Sequence, residues 1–289
     1  MKFDLFINFA ISELKMLKFI EHFFRGDPES MDHRTHEQYY CLNKNINNKY
    51  INKILIPTFS EKSFRLLSKA CQVENWKEKI EFLDLKTSND ILIPENGTFW
   101  NFSEISKTYL NNGGENILII SNSDIEFNES LKISEIFNFD NTAICLSAWN
   151  VENFSSTFIH PKPFQEACSS QDCWIFKPTK KIKNIKVPIG THLCESRIAN
   201  NLERIGLKTV NPSYSIITKH IHRNHQPKAT HNRFLPTFEK AVQENPETIS
   251  RILDNTSLVP PVCISLTQEY NSCFRSGHHG IRGHSFSLK

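Results

Sequence analysis

Glycine is scarce in this sequence, 9 of 289 residues, and neither a G-x-G-x-x-G nor a Walker A sequence occurs. Phosphate-cradling loops of the dinucleotide-binding and P-loop types are built from glycine, so both readings lose their main support. A strong excess of one charge is also lacking. The net charge of +3 is too small to argue for nucleic acid, and no nucleic-acid partner is expected. The 8 cysteines form no C-x-x-C pair and no zinc-ribbon spacing. Several sit inside apolar runs, Cys145 in TAICLS and Cys173 in DCWIF, as buried free thiols of a reducing compartment do. No apolar run reaches the roughly 18 residues that a membrane span needs. The N-terminal stretch MKFDLFINFAISELKMLKFIEHFF is apolar but broken by Asp4, Glu13, Lys15 and Lys18, so a secretory signal is not expected. A helix or strand packed on the domain is expected there. An amphipathic segment resting on a membrane is the other reading, and it leaves peripheral membrane contact open. A soluble, cytoplasmic protein is the expectation.

What is present is a globular composition, 39% apolar and 22% charged, in a chain long enough to bury a large core. From Lys53 to His222 short apolar runs alternate with helix-like segments. KILIPTF, KIEFLDL, NILII, TAICLS, QDCWIFK, LKTV and SIITKHIH read as strands. SEKSFRLLSKA, FSEISKTYLNN, NESLKISEIF and CESRIANNLERIG read as helices, with Gly113–Gly114 and Gly206 as stops. That alternation predicts an α/β fold with a central, mostly parallel sheet and helices on both faces. One domain is expected over residues 1–228. Residues 229–289 are expected to form a helical extension, TFEKAVQENPETISRILDN, and a polar, basic tail.

Four places carry candidate chemistry. In NILIISNSD, Asp124 follows a buried strand with Asn122 and Ser123 before it, at the end where open α/β sheets bind ligands. A carboxylate there suits a hard divalent cation, and it equally suits an Asx turn that satisfies backbone N–H groups. In SSQDCWIF, Asp172 opens a strand with Trp174 and Phe176 on one face and Cys173 and Ile175 on the other. Such an acid is either hydrogen-bonded for structure or raised in pKa for proton transfer. In SIITKHIH, a period of two places His220 and His222 on one face, as metal ligands or as packed histidines. In CESR, Glu195 and Arg197 open a helix, either to hold an anion or polar substrate or as a surface ion pair. The lysines of KPTKKIKNIK read as a solvated loop or as an attraction for a phosphate-bearing donor.

In this order, CLNKNINNKYINKILI, NILIISNSDIEFNESL, LSAWN, SQDCWIFK and CESRIANNLERIGLKTVNPSYSIITKHIHRN resemble a family of small glycosyltransferase-like proteins of the GT-A type. The resemblance covers roughly residues 36–224. It implies a nucleotide-diphospho-sugar fold in which a D-x-D-like element, here Asn122-Ser123-Asp124, holds Mn2+ or Mg2+ against the donor pyrophosphate. His222, or His220 after it, is implied to complete the metal site. Asp172 is implied to orient or deprotonate an acceptor hydroxyl, on a glycan, a lipid or a protein. Glu195 and Arg197 are implied on the donor side. The implied activity is therefore metal-dependent transfer of a sugar from a nucleotide-diphosphate sugar.

The chain departs from that pattern in three places. Ala148 in LSAW stands where relatives tend to carry arginine, ENGTFWNF also lacks one, and the G-[CW]-[DE]-N-R element survives only as LCESR. A degenerate GT-A domain that acts as a non-catalytic binding module is the alternative. Nucleotidyl transfer to a sugar phosphate usually needs a glycine-rich N-terminal loop with a basic residue, which is missing. A nucleic-acid or metal contact through His278, His279, Arg282 and His284 finds little support in so short a tail.

Overall fold

The computed structural model describes residues 1–9, 13–26, 33–58, 61–70, 76–85, 100–151, 171–185, 187, 189, 194–213, 215–221 and 262–263. His222, the boundary near residue 228, the C-terminal helix and the histidine-rich tail lie outside the described residues.

The main sheet has eight strands. They are β1 (Phe3–Ile7), β2 (Ile51–Pro57), β3 (Ile80–Leu83), β4 (Ile117–Ser121), β6 (Thr142–Leu146), β8 (Cys173–Phe176), β9 (Lys208–Asn211) and the two-residue β11 (Val262–Cys263). Their order across the sheet is β11-β9-β6-β8-β4-β1-β2-β3. Every neighbouring pair is parallel except those that β8 makes with β4 and β6. The expected mostly parallel sheet is therefore present. It begins earlier than the sequence pattern indicates, because the N-terminal FDLFI is a central strand flanked by β2 and β4.

Side-chain alternation explains why these strands read as unbroken apolar runs. Leu5, Ile54, Ile119, Ile144 and Ile175 enter one core layer, and Phe6, Leu55, Ile120, Cys145 and Trp174 enter the other. Helices α1 (Glu13–Arg25), α2 (His33–Ile46) and α3 (Glu61–Ala70) cover the first layer through Phe19, Leu42 and Phe64. A four-residue turn of helix, α4 (Trp76–Lys79), precedes β3. Helices α5 (Phe102–Asn111) and α6 (Cys194–Arg204) cover the second layer through Phe102, Ile105, Ile198 and Leu202. Asn101 makes no side-chain cap for α5. Its first N–H groups are met instead by the carbonyls of Val187 and Ile185, at 3.0 and 3.1 Å. Gly206, with a φ of 94°, ends α6 as expected, its N–H on Glu203 O at 2.9 Å.

Two segments differ from their sequence pattern. NESLKISEI forms a 3₁₀ helix over Glu129–Ile136, capped by the Asn128 side chain on Ser130 N, rather than an α-helix. SIITKHIH contributes only β10 (Thr218–Ile221), and β10 leaves the main sheet for a second one of order β5-β10-β7, with β5 (Ile125–Phe127) and β7 (Trp149–Val151). A period of two identifies which residues share a face, but it carries no information on which sheet a strand joins.

Candidate functional site

The antiparallel β8 builds the site. Because it runs against β4 and β6, the residue that precedes it, Asp172, arrives beside the carboxyl ends of both. Asp172 N donates to Leu146 O at 2.8 Å, and Asn122 N donates to Asp172 O at 3.1 Å. Ala148 N donates to Asp172 Oδ2 at 2.9 Å. The SNSD, LSAW and SQD segments are thereby fixed at one corner, at the sheet edge where open α/β folds bind ligands. The next strand strengthens it: Asn211 Nδ2 donates to Ser147 Oγ at 2.9 Å, and Trp149 Nε1 donates to Ser213 O at 2.7 Å.

The second sheet adds His220. Ile221 N donates to Asp124 O at 3.1 Å, which sets β10 against the turn after β4. His220 Nε2 then lies 2.8 Å from Asp124 Oδ2, and His220 Nδ1 lies 3.9 Å from Asp172 Oδ1. One imidazole is bracketed by two buried carboxylates. Asn122 is half-buried at the same turn and Ser123 is buried.

A third group is not legible in the sequence. Arg34, in the first turn of α2, pairs through Nη1 with Asp124 Oδ2. Its contact with Glu37 is longer, 3.9 Å. The placement of α2 rests on asparagine. Asn45 Nδ2 donates to Ile125 O at 2.8 Å while Phe127 N donates to Asn45 Oδ1 at 2.9 Å. The side chain thus pairs with β5 as a neighbouring strand would. Asn48 Nδ2 adds a bond to Phe127 O at 2.9 Å, and Cys41 packs on Val151 and Ile221. HRTHEQ matches no motif, and the partner of Arg34 lies 90 residues away.

The electrostatics reflect burial and pairing. Burial alone would push the Asp124 carboxyl up. The Arg34 guanidinium and the His220 imidazole outweigh it and hold Asp124 well below the usual carboxylate range. Burial pulls His220 down, but Asp124, and Asp172 after it, leave it raised above its ordinary value. The Cys41 thiol is pushed well up by burial, with Asp124 and Glu126 adding to the effect. Asp124 Oδ1 is buried and has no hydrogen-bond partner among the described residues.

Among the described residues, the donors around Asp124 do not by themselves make the Mn2+ or Mg2+ site that the resemblance implies. Its Oδ2 is taken by a guanidinium and an imidazole, and among the described residues no group of three or more His, Cys, Asp or Glu could hold a metal ion. His222, the first choice to complete that site, lies outside those residues.

Glu195 and Arg197 sit in the first turn of α6. Since α6 leads through Gly206 into the start of β9, that first turn lies toward the same sheet edge as Asp124. Arg197 is buried, and burial pulls its guanidinium below the ordinary value. The basic run begins at the opposite edge. Lys177 Nζ bonds Asp140, just ahead of β6, at 2.7 Å, and Ile182 and Ile185 anchor the rest of the run in the core. Among the described residues no helix is long and apolar enough to cross a membrane.

No protein-family model matches this sequence, and no curated protein matches it. Among solved structures, it is similar to 4-diphosphocytidyl-2C-methyl-D-erythritol synthase from Anaerococcus prevotii, with 12% identity, a TM-score of 0.43, and coverage of 81% of this chain and 96% of that one. It is also similar to a UDP-glucose pyrophosphorylase in complex with UDP-glucose, with 8% identity, a TM-score of 0.33, and coverage of 83% and 99%. At these scores the fold and the site rest on the chain's own geometry: a mostly parallel sheet, helices on both faces, and Asp124, Asp172, His220 and Arg34 gathered at its carboxyl-end edge.

Proposed function

We propose that this chain is a GT-A-type glycosyltransferase that takes a nucleotide-diphosphate sugar and passes the sugar to an acceptor hydroxyl. One observation carries this reading: the buried carboxylates of Asp124 and Asp172 bracket His220 at 2.8 and 3.9 Å, at the carboxyl-end edge of the sheet. Asp172 acts on the acceptor. Its Oδ2 is fixed by Ala148 N, and His220 Nδ1 lies 3.9 Å from its Oδ1. As the acceptor oxygen bonds to the sugar C1, its proton passes to the Asp172 carboxylate. The bond from C1 to the diphosphate oxygen breaks, and the nucleoside diphosphate leaves with the electron pair.

The test is release of nucleoside diphosphate from a panel of nucleotide sugars, in EDTA and in Mn2+, with water and simple sugars as acceptors. Release by the native chain is expected. Asp172→Asn should lower it by about 100-fold or more while keeping nucleotide binding. Full activity in that variant refutes the role of Asp172. Nucleotide binding with no turnover in any arm makes the chain a non-catalytic binding module. Pyrophosphate release from a nucleoside triphosphate and a sugar phosphate assigns nucleotidyl transfer instead.

A further inference from the structure

Arg34 stands out in the site as a cation that has not used all its donors. Its side chain is 49% exposed, whereas the Asp124 side chain it pairs with is 2% exposed. Nη1 is engaged by Asp124 and lies near Glu37, while Nε and Nη2 have no partner among the described residues. Asp124 therefore fixes one edge of a planar fork and leaves its other donors unused. A guanidinium held in this way matches two oxygens of a phosphate bidentately, which a lysine ammonium cannot do.

The charges at this corner point the same way. Arg34 and His220 lie among the carboxylates of Asp124, Asp172 and Glu37, and Arg34 is the permanent cation of this group. A diphosphate is therefore drawn to the exposed side of the guanidinium rather than to the carboxylates behind it. Asp124 has its Oδ2 committed to Arg34 and His220, and its Oδ1 is buried without a partner among the described residues. A divalent ion on Oδ2 would have to displace the guanidinium.

On the reading that this is a nucleotide-sugar site, we infer that Arg34 occupies the place of a divalent cation and holds the donor diphosphate directly, with Asp124 as the group that positions it. Binding of a nucleoside diphosphate is then independent of metal. Arg34 is a binding residue for the phosphate oxygens, and it lies outside every segment that the sequence singled out.

Isothermal titration of the full chain with UDP, GDP, CDP and ADP, each in EDTA and in Mn2+, tests this. One nucleotide should bind in EDTA with an affinity that Mn2+ changes by less than about threefold. Arg34→Lys keeps a cation beside Asp124 and should stay folded with a similar Tm, yet bind that nucleotide about ten- to hundredfold more weakly for want of the fork. Arg34→Gln should lose binding further. Binding that requires Mn2+, or that is unchanged in Arg34→Lys, overturns the inference and leaves the transferase reading standing. A folded chain that binds no nucleoside diphosphate in either condition overturns both.

Discussion

His220 Nε2 lies 2.8 Å from Asp124 Oδ2, although 96 residues separate the two in sequence. The contact joins the second sheet to the turn after β4. It is also the electrostatic centre of the site, because each partner shifts the protonation of the other.

The pair gives stability a defined pH dependence. His220 is raised above its ordinary value of 6.5, so its contribution is fully present below about that pH and is lost as pH rises through the folded value. Asp124 is depressed below 3.8, so its contribution is present above that value and is lost as pH falls toward the folded one. Arg34 and Asp172 also face this pair and act in opposite directions on His220. The Tm difference between the native chain and His220→Gln should therefore be widest between about pH 4 and 6.5, and should narrow steadily above that range. Thermal unfolding from pH 5 to 9 checks this. A difference that is flat with pH would mean that His220 stays neutral beside Asp124.

Asn45 is expected to matter as much as a large core residue. Its side chain satisfies Ile125 O and Phe127 N, both within the buried β5. Asn45→Leu keeps the branched shape but strands one acceptor and one donor of the backbone. Each costs about 1–3 kcal/mol, so urea unfolding should show a loss of about 2–6 kcal/mol. Since α2 carries Arg34, nucleotide affinity should fall as well. A loss below about 1 kcal/mol would show that water reaches the strand and replaces the amide.

Much of the sheet is legible because strands buried on both faces leave continuous apolar runs, as in ILIIS, TAICL and CWIF. FDLFI does not announce itself as a central strand. It runs into α1 through a stretch with no glycine or proline to mark the change of period. At the site, motifs point to Asp124, Asp172 and His220, and the chain folds them together. Arg34 escapes such a reading because its role comes from the packing of α2 on β5, which depends on Asn45 and Asn48 rather than on any local pattern. For the basic run composition gives the charge and packing gives the course: Lys177 pairs with Asp140 at its start, and the Ile185 carbonyl near its end meets the first turn of α5.

Ala148 tests whether the LSAW segment has room for an arginine. Here the side chain is buried in the first core layer, and its N–H is committed to Asp172. Ala148→Arg forces a large cation into that layer and should destabilise the chain by about 2 kcal/mol or more in urea unfolding. Unchanged stability would mean that the position opens onto the cleft and has room for a guanidinium.

The far edge of the sheet supplies a control that should affect stability and leave the site alone. Asp4, at the start of β1, accepts from Tyr109 Oη at 2.6 Å, Asn116 Nδ2 at 3.0 Å and Asn52 Nδ2 at 2.9 Å. Burial, and Asp4 beside it, push the Tyr109 hydroxyl well up, so it stays a donor at any working pH. Gly114 turns the chain tightly against that ring: a Cβ there would lie 2.4 Å from Tyr109 Cζ. Gly114→Ala should drive the ring off Asp4 and cost about 1–3 kcal/mol. Tyr109→Leu removes the ring and leaves Asp4 with its two asparagines, so in that background Gly114→Ala should cost much less. The coupling between the two substitutions, read by urea unfolding of the four variants, should be about 1 kcal/mol or more. Additive costs would show that Gly114 is constrained by its backbone rather than by the tyrosine. Nucleotide affinity should stay within about twofold in Gly114→Ala, since the network lies at the amino-end edge, the opposite side of the sheet from Arg34, His220 and Asp172.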